Sequence, residues 1–131
     1  MNITLEADYA IRIIYCLAKE NKRIEAKSIA EITGVTLRFS LKILRKLVAA
    51  ELIKSFKGTQ GGYELAKPAS EISLYDIISI IEGPYSFSKC GYDEFVCTRK
   101  PDKNCKIRNV FCKITESVIQ QLEEAKIGDL L

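Results

Sequence analysis

Residues 26–66 read AKSIAEITGVTLRFSLKILRKLVAAELIKSFKGTQGGYELA, and this stretch decides the fold. Residues 26–33 have the apolar spacing of a short helix, and we expect Ile29 and Ile32 to face the core. Gly34 follows at the point where many helices end in the left-handed conformation that glycine adopts without strain. The sequence therefore predicts a short helix that stops at Gly34.

A second helix is predicted to run from a cap at Thr36 to about Ala50, because a threonine hydroxyl can accept a hydrogen bond from the first helical turn. Its apolar face carries Leu37, Leu44 and Leu47. Its remaining surface carries Arg38, Lys42, Arg45 and Lys46. Two short helices joined through one glycine, the second basic on its outer face, are typical of a helix-turn-helix.

A β-hairpin is predicted directly after the basic helix. Residues 52–57 alternate weakly as a strand and residues 63–66 alternate again. Between them, Gly58, Gly61 and Gly62 allow a flexible tip. A hairpin in this place would be the wing of a winged helix-turn-helix, so the expected fold is mainly α-helical with one small β-hairpin wing.

Further helices are predicted on both sides of this unit. The helical spacing of residues 5–20 is set by Leu5, Tyr9, Ile13 or Ile14, and Leu17. After the wing, Ser73 and Asp76 have the spacing of a capping box in front of an apolar helix that stops at Gly83. Residues 1–83 are therefore expected to form a winged helix-turn-helix domain.

The last third of the chain has a different organisation. Between residues 84 and 104 the periodicity is lost, which predicts an irregular, cysteine-bearing loop. From residue 105 apolar side chains recur every three or four positions to about Lys126, which predicts a long helix. Residues 105–131 are expected to form this helix and a short C-terminal tail. Because little chain remains to cover the apolar stripe, we expect the helix to pair with the same helix of a second subunit. Packing on its own domain alone is the alternative.

The 131 residues carry a net charge of +3, but residues 35–63 hold six basic side chains against one acidic side chain. Such a segment suits a surface that faces phosphates, although on charge alone a solvated helix face is an equal alternative. No apolar run approaches the ~20 residues that cross a bilayer. The N-terminus lacks the positive charge and apolar core of a signal peptide. A cytoplasmic protein with no membrane partner is expected.

Four of the five cysteines, Cys90, Cys97, Cys105 and Cys112, follow the pattern C-x6-C-x7-C-x6-C in a chain without histidine. No catalytic arrangement is visible, so an enzyme is not expected. The gaps exceed those of a zinc knuckle, whereas widely spaced cysteines in a loop can wrap an iron-sulfur cluster. Cys112 would lie ~10.5 Å along the helix from Cys105, and is therefore better explained as a small core residue.

A cap at Asn104 would place Cys105 in the first turn of the last helix, where the positive end of the dipole favours a thiolate. Cys16 is expected to be a buried structural thiol of the first helix. Three cysteines leave a cluster one protein ligand short. Asp8, Glu6 or a small exogenous ligand could fill the gap.

Over essentially its whole length the chain resembles the Rrf family, the cytoplasmic bacterial winged-helix regulators of the IscR and NsrR type. The resemblance rests on the cysteines and on four motifs: LEADYAIRIIYCLA (5–18), AKSIAEITGVTLRFSLKILRKL (26–47), SFKGTQGGYEL (55–65) and IGDLL (127–131). It implies a homodimeric regulator, expected to be a repressor, that binds double-stranded palindromic promoter DNA. Its affinity would respond to redox, nitric oxide or iron status through an iron-sulfur cluster of the 4Fe-4S or 2Fe-2S type.

The resemblance also assigns DNA-binding residues by position. It implies that Thr36, Arg38 and Lys42 face the major groove. It implies further that Lys57 and Gln60 lie in the wing, where a charged tip can enter a minor groove.

The cluster ligands follow from the resemblance as well. Arg108 stands where the IscR branch carries a histidine, so the resemblance excludes an IscR-type ligand set with histidine. In the NsrR branch an aspartate from the first helix of the other subunit completes the site, and Asp8 occupies the matching position. The implied ligands are Cys90, Cys97, Cys105 and Asp8, although Asp8 could instead be a carboxylate favoured by the helix dipole. The alternative function is a cluster-free regulator that uses a cysteine thiol switch, a partner protein or a small molecule.

Overall fold

The computed structural model describes residues 2–99 and 104–131. Within these residues the chain forms five α-helices and one antiparallel hairpin, with the following bounds: α1 Leu5–Glu20, α2 Ala26–Thr33, α3 Leu37–Ala49, β1 Ile53–Phe56, β2 Gly62–Leu65, α4 Leu74–Glu82 and α5 Lys106–Glu124. Short 3-10 turns lie at Ala69–Glu71, Lys89–Gly91 and Ile127–Leu130. The predicted fold class, mainly α-helical with a small wing, is confirmed. The part of the predicted loop at residues 100–103 lies outside the described residues.

The helix-turn-helix forms as its predicted C-terminal glycine and N-terminal cap indicate. Gly34 ends α2 with φ 72°, and its N–H donates to the carbonyl oxygen of Ala30 at 3.0 Å. The Thr36 hydroxyl accepts a hydrogen bond from the Phe39 backbone N–H at 3.3 Å and so begins α3. The hairpin follows directly, with Ile53 paired to Leu65 at its base.

Three apolar side chains that the spacing assigned to the core are exposed instead. Leu5, Ile32 and Leu37 are 60%, 56% and 45% exposed. Each lies in the first or last turn of its helix, where the neighbouring elements no longer cover it. The interior positions are correctly predicted, since Ile29, Leu44 and Leu47 are fully buried.

The core is built around α1, whose inward side chains pack against α2, α3 and α4. The largest of its buried members are Ile13, Ile14, Leu17, Ile29, Ile43, Leu44, Leu47, Ile53, Ile72, Ile77 and Ile127. Ser40 is also fully buried, and its hydroxyl has no hydrogen-bond partner among the described residues. Burial of Ile43, Leu44 and Leu47 sets the rotation of α3, which places Ser40 on the inner side and the basic side chains outward.

The predicted capping box begins α4. The Ser73 hydroxyl accepts a hydrogen bond from the Asp76 backbone N–H at 3.0 Å, and the Asp76 carboxylate accepts one from the Ser73 N–H at 2.9 Å. The helix ends at Glu82, before Gly83 with φ 81°. This helix therefore has the start and the stop that its sequence predicts.

The last helix, α5, has no buried residue. Its N-cap is Cys105, so the predicted cap at Asn104 is wrong by one residue. After α5 the chain returns to the domain, where the Ile127 N–H donates to the Ile72 carbonyl at 2.8 Å and the Ile127 side chain is buried. One end of α5 is thus anchored to the core and its middle is half-buried against α4 and the loop, while Ile107 and Val110 near its start are exposed. No helix within residues 2–99 and 104–131 has the length and apolar character needed to cross a membrane.

Candidate functional site

A basic surface lies on the outer side of α3. Arg38, Lys42 and Arg45 are exposed, and together with Thr36 they line one groove on this helix. The Thr36 hydroxyl accepts the capping hydrogen bond, and its own proton remains available to an outside acceptor. Four residues of the types that bind phosphates and base edges, two arginines, one lysine and one threonine, thus occur together at one accessible helix.

A carboxylate from α1 partly neutralises this surface. Glu6 lies 2.5 Å from the Lys46 ammonium and 3.6 Å from that of Lys42, and its side chain is 19% exposed. The hydrogen bond from Lys46, with the charge of Lys42 added to it, lowers the pKa of Glu6 below its usual range. Glu6, which was considered as a cluster ligand, therefore lies against α3.

The wing stands beside α3 and presents exposed Lys57 and Gln60 at its tip. The tip end of β2 is joined to the linker between α1 and α2, because Ile24 and Tyr63 exchange two backbone hydrogen bonds of 2.9 and 2.8 Å. Gly62 makes this approach possible, since a Cβ there would lie 2.6 Å from the Ile24 carbonyl oxygen. The wing is therefore bound to this linker close to its tip.

The cysteine loop meets the N-terminus of α5. Cys105 caps the helix, and the backbone N–H groups of Arg108 and Ile107, with the Arg99 guanidinium, lower the pKa of its thiol below its usual value. Partial desolvation opposes this shift. Helix N-termini stabilise thiolates in this way, so Cys105 has the character of a ligand or a reactive thiol.

Two arginines join the other loop cysteines to this helix end. Arg99 donates to Cys105 Sγ at 3.8 Å, and the nearby Cys97 and Cys105 raise the pKa of its guanidinium. Arg108 donates from Nε to the carbonyl oxygen of Cys90 at 3.0 Å. Cys90, Cys97 and Cys105 are thereby all linked to one end of α5.

The predicted fourth ligand has a different partner within the chain. Asp8 lies in the first turn of α1 and pairs with Arg12 at 2.8 Å. Within residues 2–99 and 104–131, no three cysteine, aspartate or glutamate side chains lie close enough to hold a metal ion. The part of the single chain that the structure describes therefore supplies the loop thiols without assembling a closed metal site from them.

The remaining cysteines have different surroundings. Cys16 is buried in α1 as predicted, and burial, with the nearby charge of Glu20, raises the pKa of its thiol. Cys112 is only half-buried on α5, so the prediction that it is a core residue is wrong.

An iron-sulfur cluster would fit this end of α5 in its donor chemistry. Thiolates are the ligands such clusters take, and Cys105 lies where a thiolate is stabilised. The side chain of Arg108 is turned to the Cys90 backbone and cannot act as the histidine ligand would.

Sequence reasoning missed several of the residues that shape these surfaces. Arg99 lies two positions after Cys97 and could have been noticed as a local cation beside a thiol. Glu6 and Lys46 are 40 positions apart, and no local pattern indicates that they meet. Arg23, which contacts the wing, carries no signal in the linker sequence.

Comparison with known proteins gives a consistent result. The family model Rrf2, described as an iron-dependent transcriptional regulator, matches residues 3–131. The chain is 30% identical to the HTH-type transcriptional regulator NsrR of Oceanobacillus iheyensis over 135 residues, which cover 100% of this chain and 90% of that protein. It is 36% identical to protein aau3 of Rhizobium meliloti over 91 residues, which cover 69% of this chain and 59% of that protein.

Solved structures show the same fold. CymR (YrzC), the global cysteine regulator of B. subtilis, superposes with a TM-score of 0.83 at 27% identity, covering 99% of this chain and 95% of CymR. IscR of T. potens superposes with a TM-score of 0.78 at 25% identity, covering 99% of this chain and 85% of IscR.

Proposed function

Because the chain belongs to the Rrf2 family of winged-helix transcriptional regulators, we propose that it is a cytoplasmic homodimer that binds palindromic promoter DNA and acts as a repressor. The observation that carries the DNA-binding part is the exposed basic face of α3 beside the wing. Arg38, Lys42 and Thr36 would enter the major groove, and Lys57 and Gln60 would reach the minor groove from the wing.

Salt dependence tests this surface. Each lysine that contacts a phosphate releases a counterion, so Lys42→Ala or Lys57→Ala should reduce the slope of log affinity against log salt by about one unit. Lys113→Ala makes the same charge change on an exposed position of α5 and serves as the matched control. If the control and the two test variants have equal slopes, the assigned surface does not face DNA.

The dimer is proposed because apolar side chains of α5 are exposed. This 19-residue helix has no buried residue, and Ile107 and Val110 are more than half exposed. A second copy of the helix would cover this stripe, and twofold symmetry would match a palindromic site with half-sites about 34 Å apart or a multiple of that distance. Ile107→Glu with Val110→Glu should yield a monomer in analytical ultracentrifugation. A dimer that persists in this variant would place the interface elsewhere.

For the signal, we propose an iron-sulfur cluster of the 4Fe-4S or 2Fe-2S type. Cys90, Cys97 and Cys105 would hold it, with Asp8 of the partner subunit as the fourth ligand. The support is the gathering of the three loop cysteines at one end of α5, together with the lowered pKa of Cys105. Bound there, the cluster would supply a reaction centre for oxidants or nitric oxide.

Anaerobic purification with iron and sulfide analysis tests the cluster. Cys97→Ser should lose iron, sulfide and the visible absorbance, whereas Cys112→Ser should retain them as the matched control. Asp8→Ala with an unchanged spectrum and an unchanged cluster lifetime would remove Asp8 from the ligand set. Wild-type protein that contains neither iron nor sulfide would contradict the cluster proposal.

One observation favours the cluster-free alternative. Arg99 donates to Cys105 Sγ at 3.8 Å and lies beside Cys97, which brings the two thiols to one cation, and the pKa of Cys105 is lowered. Peroxide could then take two electrons and two protons from the pair, forming one disulfide and two waters. DNA release by peroxide in metal-free protein, abolished in Cys97→Ser, would support the thiol switch over the cluster.

A further inference from the structure

A single side chain from outside the wing contacts both strands and the tip of the wing. Arg23, in the linker between α1 and α2, places its guanidinium carbon 3.3 Å from the ring centre of Phe56 at the end of β1. It donates to the carbonyl oxygen of Gln60 at 3.1 Å and lies 3.8 Å from the carboxylate of Glu64 in β2. These contacts make three different kinds of interaction with one hairpin.

We propose that Arg23 is a positioning residue for DNA binding, which holds the wing at the height and angle that its tip needs to reach the duplex. This inference rests on the proposed DNA-binding function.

The wing needs such support because it is short. Each strand has four residues, and an isolated two-stranded hairpin is marginally stable at best. Gly58 takes a positive φ of 94° in the tip, where glycine leaves the backbone free to move in the absence of further contacts. The Ile24–Tyr63 backbone pair fixes β2 next to its Gly62 end, and inside the tip the Gly61 N–H donates to the Gly58 carbonyl oxygen at 3.0 Å. Neither contact ties Gln60 to a residue outside the wing, and the hydrogen bond from Arg23 does so.

The contact to Gln60 is the decisive one. Arg23 binds the main-chain carbonyl of Gln60, so it restrains the backbone of the tip and leaves the exposed Gln60 side chain available to DNA. The guanidinium is also engaged on its face by Phe56 and at its other nitrogen by Glu64. A phosphate would have to displace these partners to bind Arg23, which favours a structural action on the wing over direct contact with DNA.

The chemistry requires arginine. A planar guanidinium can stack on an aromatic ring and at the same time donate from two separate nitrogens, whereas a lysine ammonium is a point charge that cannot do both. Arg23→Lys keeps the charge but removes the stacking on Phe56 and the donation from two separate nitrogens. The variant therefore separates positioning of the wing from simple attraction to phosphate.

A double-mutant cycle on the full-length protein tests the proposal. Duplexes selected by the wild-type protein from a randomised pool serve as the probe, and dissociation constants are measured for Arg23→Ala, Lys57→Ala and the double variant. Arg23→Ala should weaken binding about tenfold in the wild-type background. In the Lys57→Ala background it should weaken binding about twofold or less, because the DNA contact that Arg23 positions is already missing there. Arg23→Lys should behave like Arg23→Ala.

Lys22→Ala, an exposed cation in the same linker, is the matched control and should leave affinity unchanged. Thermal melting confirms that each variant is folded, and amide exchange at residues 58–61 should accelerate in Arg23→Ala. Additive effects of Arg23→Ala and Lys57→Ala, or full rescue by Arg23→Lys, would overturn the proposal in favour of a direct phosphate contact. Wild-type protein that selects no duplex would instead refute the DNA-binding function on which this inference rests.

Discussion

Replacing Glu6 with glutamine should make the protein less stable and a tighter binder of DNA. Glu6 pairs with Lys46 and Lys42 of α3, and glutamine keeps the shape of the side chain while removing its charge. The change frees one unit of positive charge on the helix that we assign to the major groove. The two effects have opposite signs, so a general loss of structure could not produce both.

The cost in stability follows from the geometry. Two unit charges 3.6 Å apart at an effective dielectric constant of ~20 attract by about 4 to 5 kcal/mol before desolvation and side-chain ordering are subtracted. Lys46 and Lys42 are 38% and 57% exposed, so solvent screens both pairs strongly. A net loss of about 1 kcal/mol in the free energy of unfolding at neutral pH is expected for Glu6→Gln.

The pH dependence has a defined sign. The lysines lower the pKa of Glu6 in the folded protein below its ordinary value of 4.5, so the charged carboxylate stabilises the folded state. This contribution is fully present above pH 4.5 and is lost as the pH falls through the lowered folded value. The stability difference between wild type and Glu6→Gln should therefore shrink in acid.

Urea denaturation at neutral and acid pH measures the first effect, and DNA affinity against salt concentration measures the second. The slope of log affinity against log salt should steepen by up to about one unit in Glu6→Gln. Glu116→Gln makes the same charge change at an exposed position of α5 and should alter neither quantity. A variant with unchanged stability and unchanged slope would refute the reasoning, because Glu6 would then neither hold α3 nor oppose phosphate binding.

Three further outcomes are expected. Ser40→Ala should raise the free energy of unfolding by about 1 kcal/mol in urea denaturation at fixed protein concentration, because it removes a buried hydroxyl without a partner and favours the helix; a loss of stability would mean that the hydroxyl is satisfied. Ser73→Ala should cost about 1 kcal/mol in the same assay, since the capping box with Asp76 is broken. In chelator-treated protein, alkylation mapped by mass spectrometry should modify Cys105 well before Cys16, because the pKa of Cys105 is lowered whereas burial raises that of Cys16; the reverse order would contradict the assigned thiol environments.

Local signals in the sequence predicted the elements well. The bounds of α1 and α2 match the predicted ranges, and the caps at Thr36 and Ser73 form as expected. These features depend on residues within one or two turns of each other, so the chain encodes them locally. The errors at Leu5, Ile32 and Leu37 arose because helical spacing identifies a face but not how far the neighbouring elements extend along it.

The candidate sites were only partly predictable. Spacing and resemblance indicated Cys90, Cys97 and Cys105, and the structure links all three to one end of α5. The cap at Cys105 and the half-burial of Cys112 depended on how the loop approaches the helix. Helical periodicity indicated that the last helix has an apolar face to cover, but it does not indicate which residues of a second copy would lie beside the loop cysteines.

The sequence by itself determined the winged helix-turn-helix, the basic face of α3 and the gathering of thiols in one segment, because glycine stops, hydroxyl caps and apolar periods act over a few residues. Only the tertiary structure decided that Glu6 restrains the lysines of α3 and that Arg23 holds the tip of the wing. Those contacts join residues about 40 positions apart. The physical reason is that an ion pair or a stacked guanidinium depends on where two distant backbones come to lie, and only the packing of the whole core sets that distance.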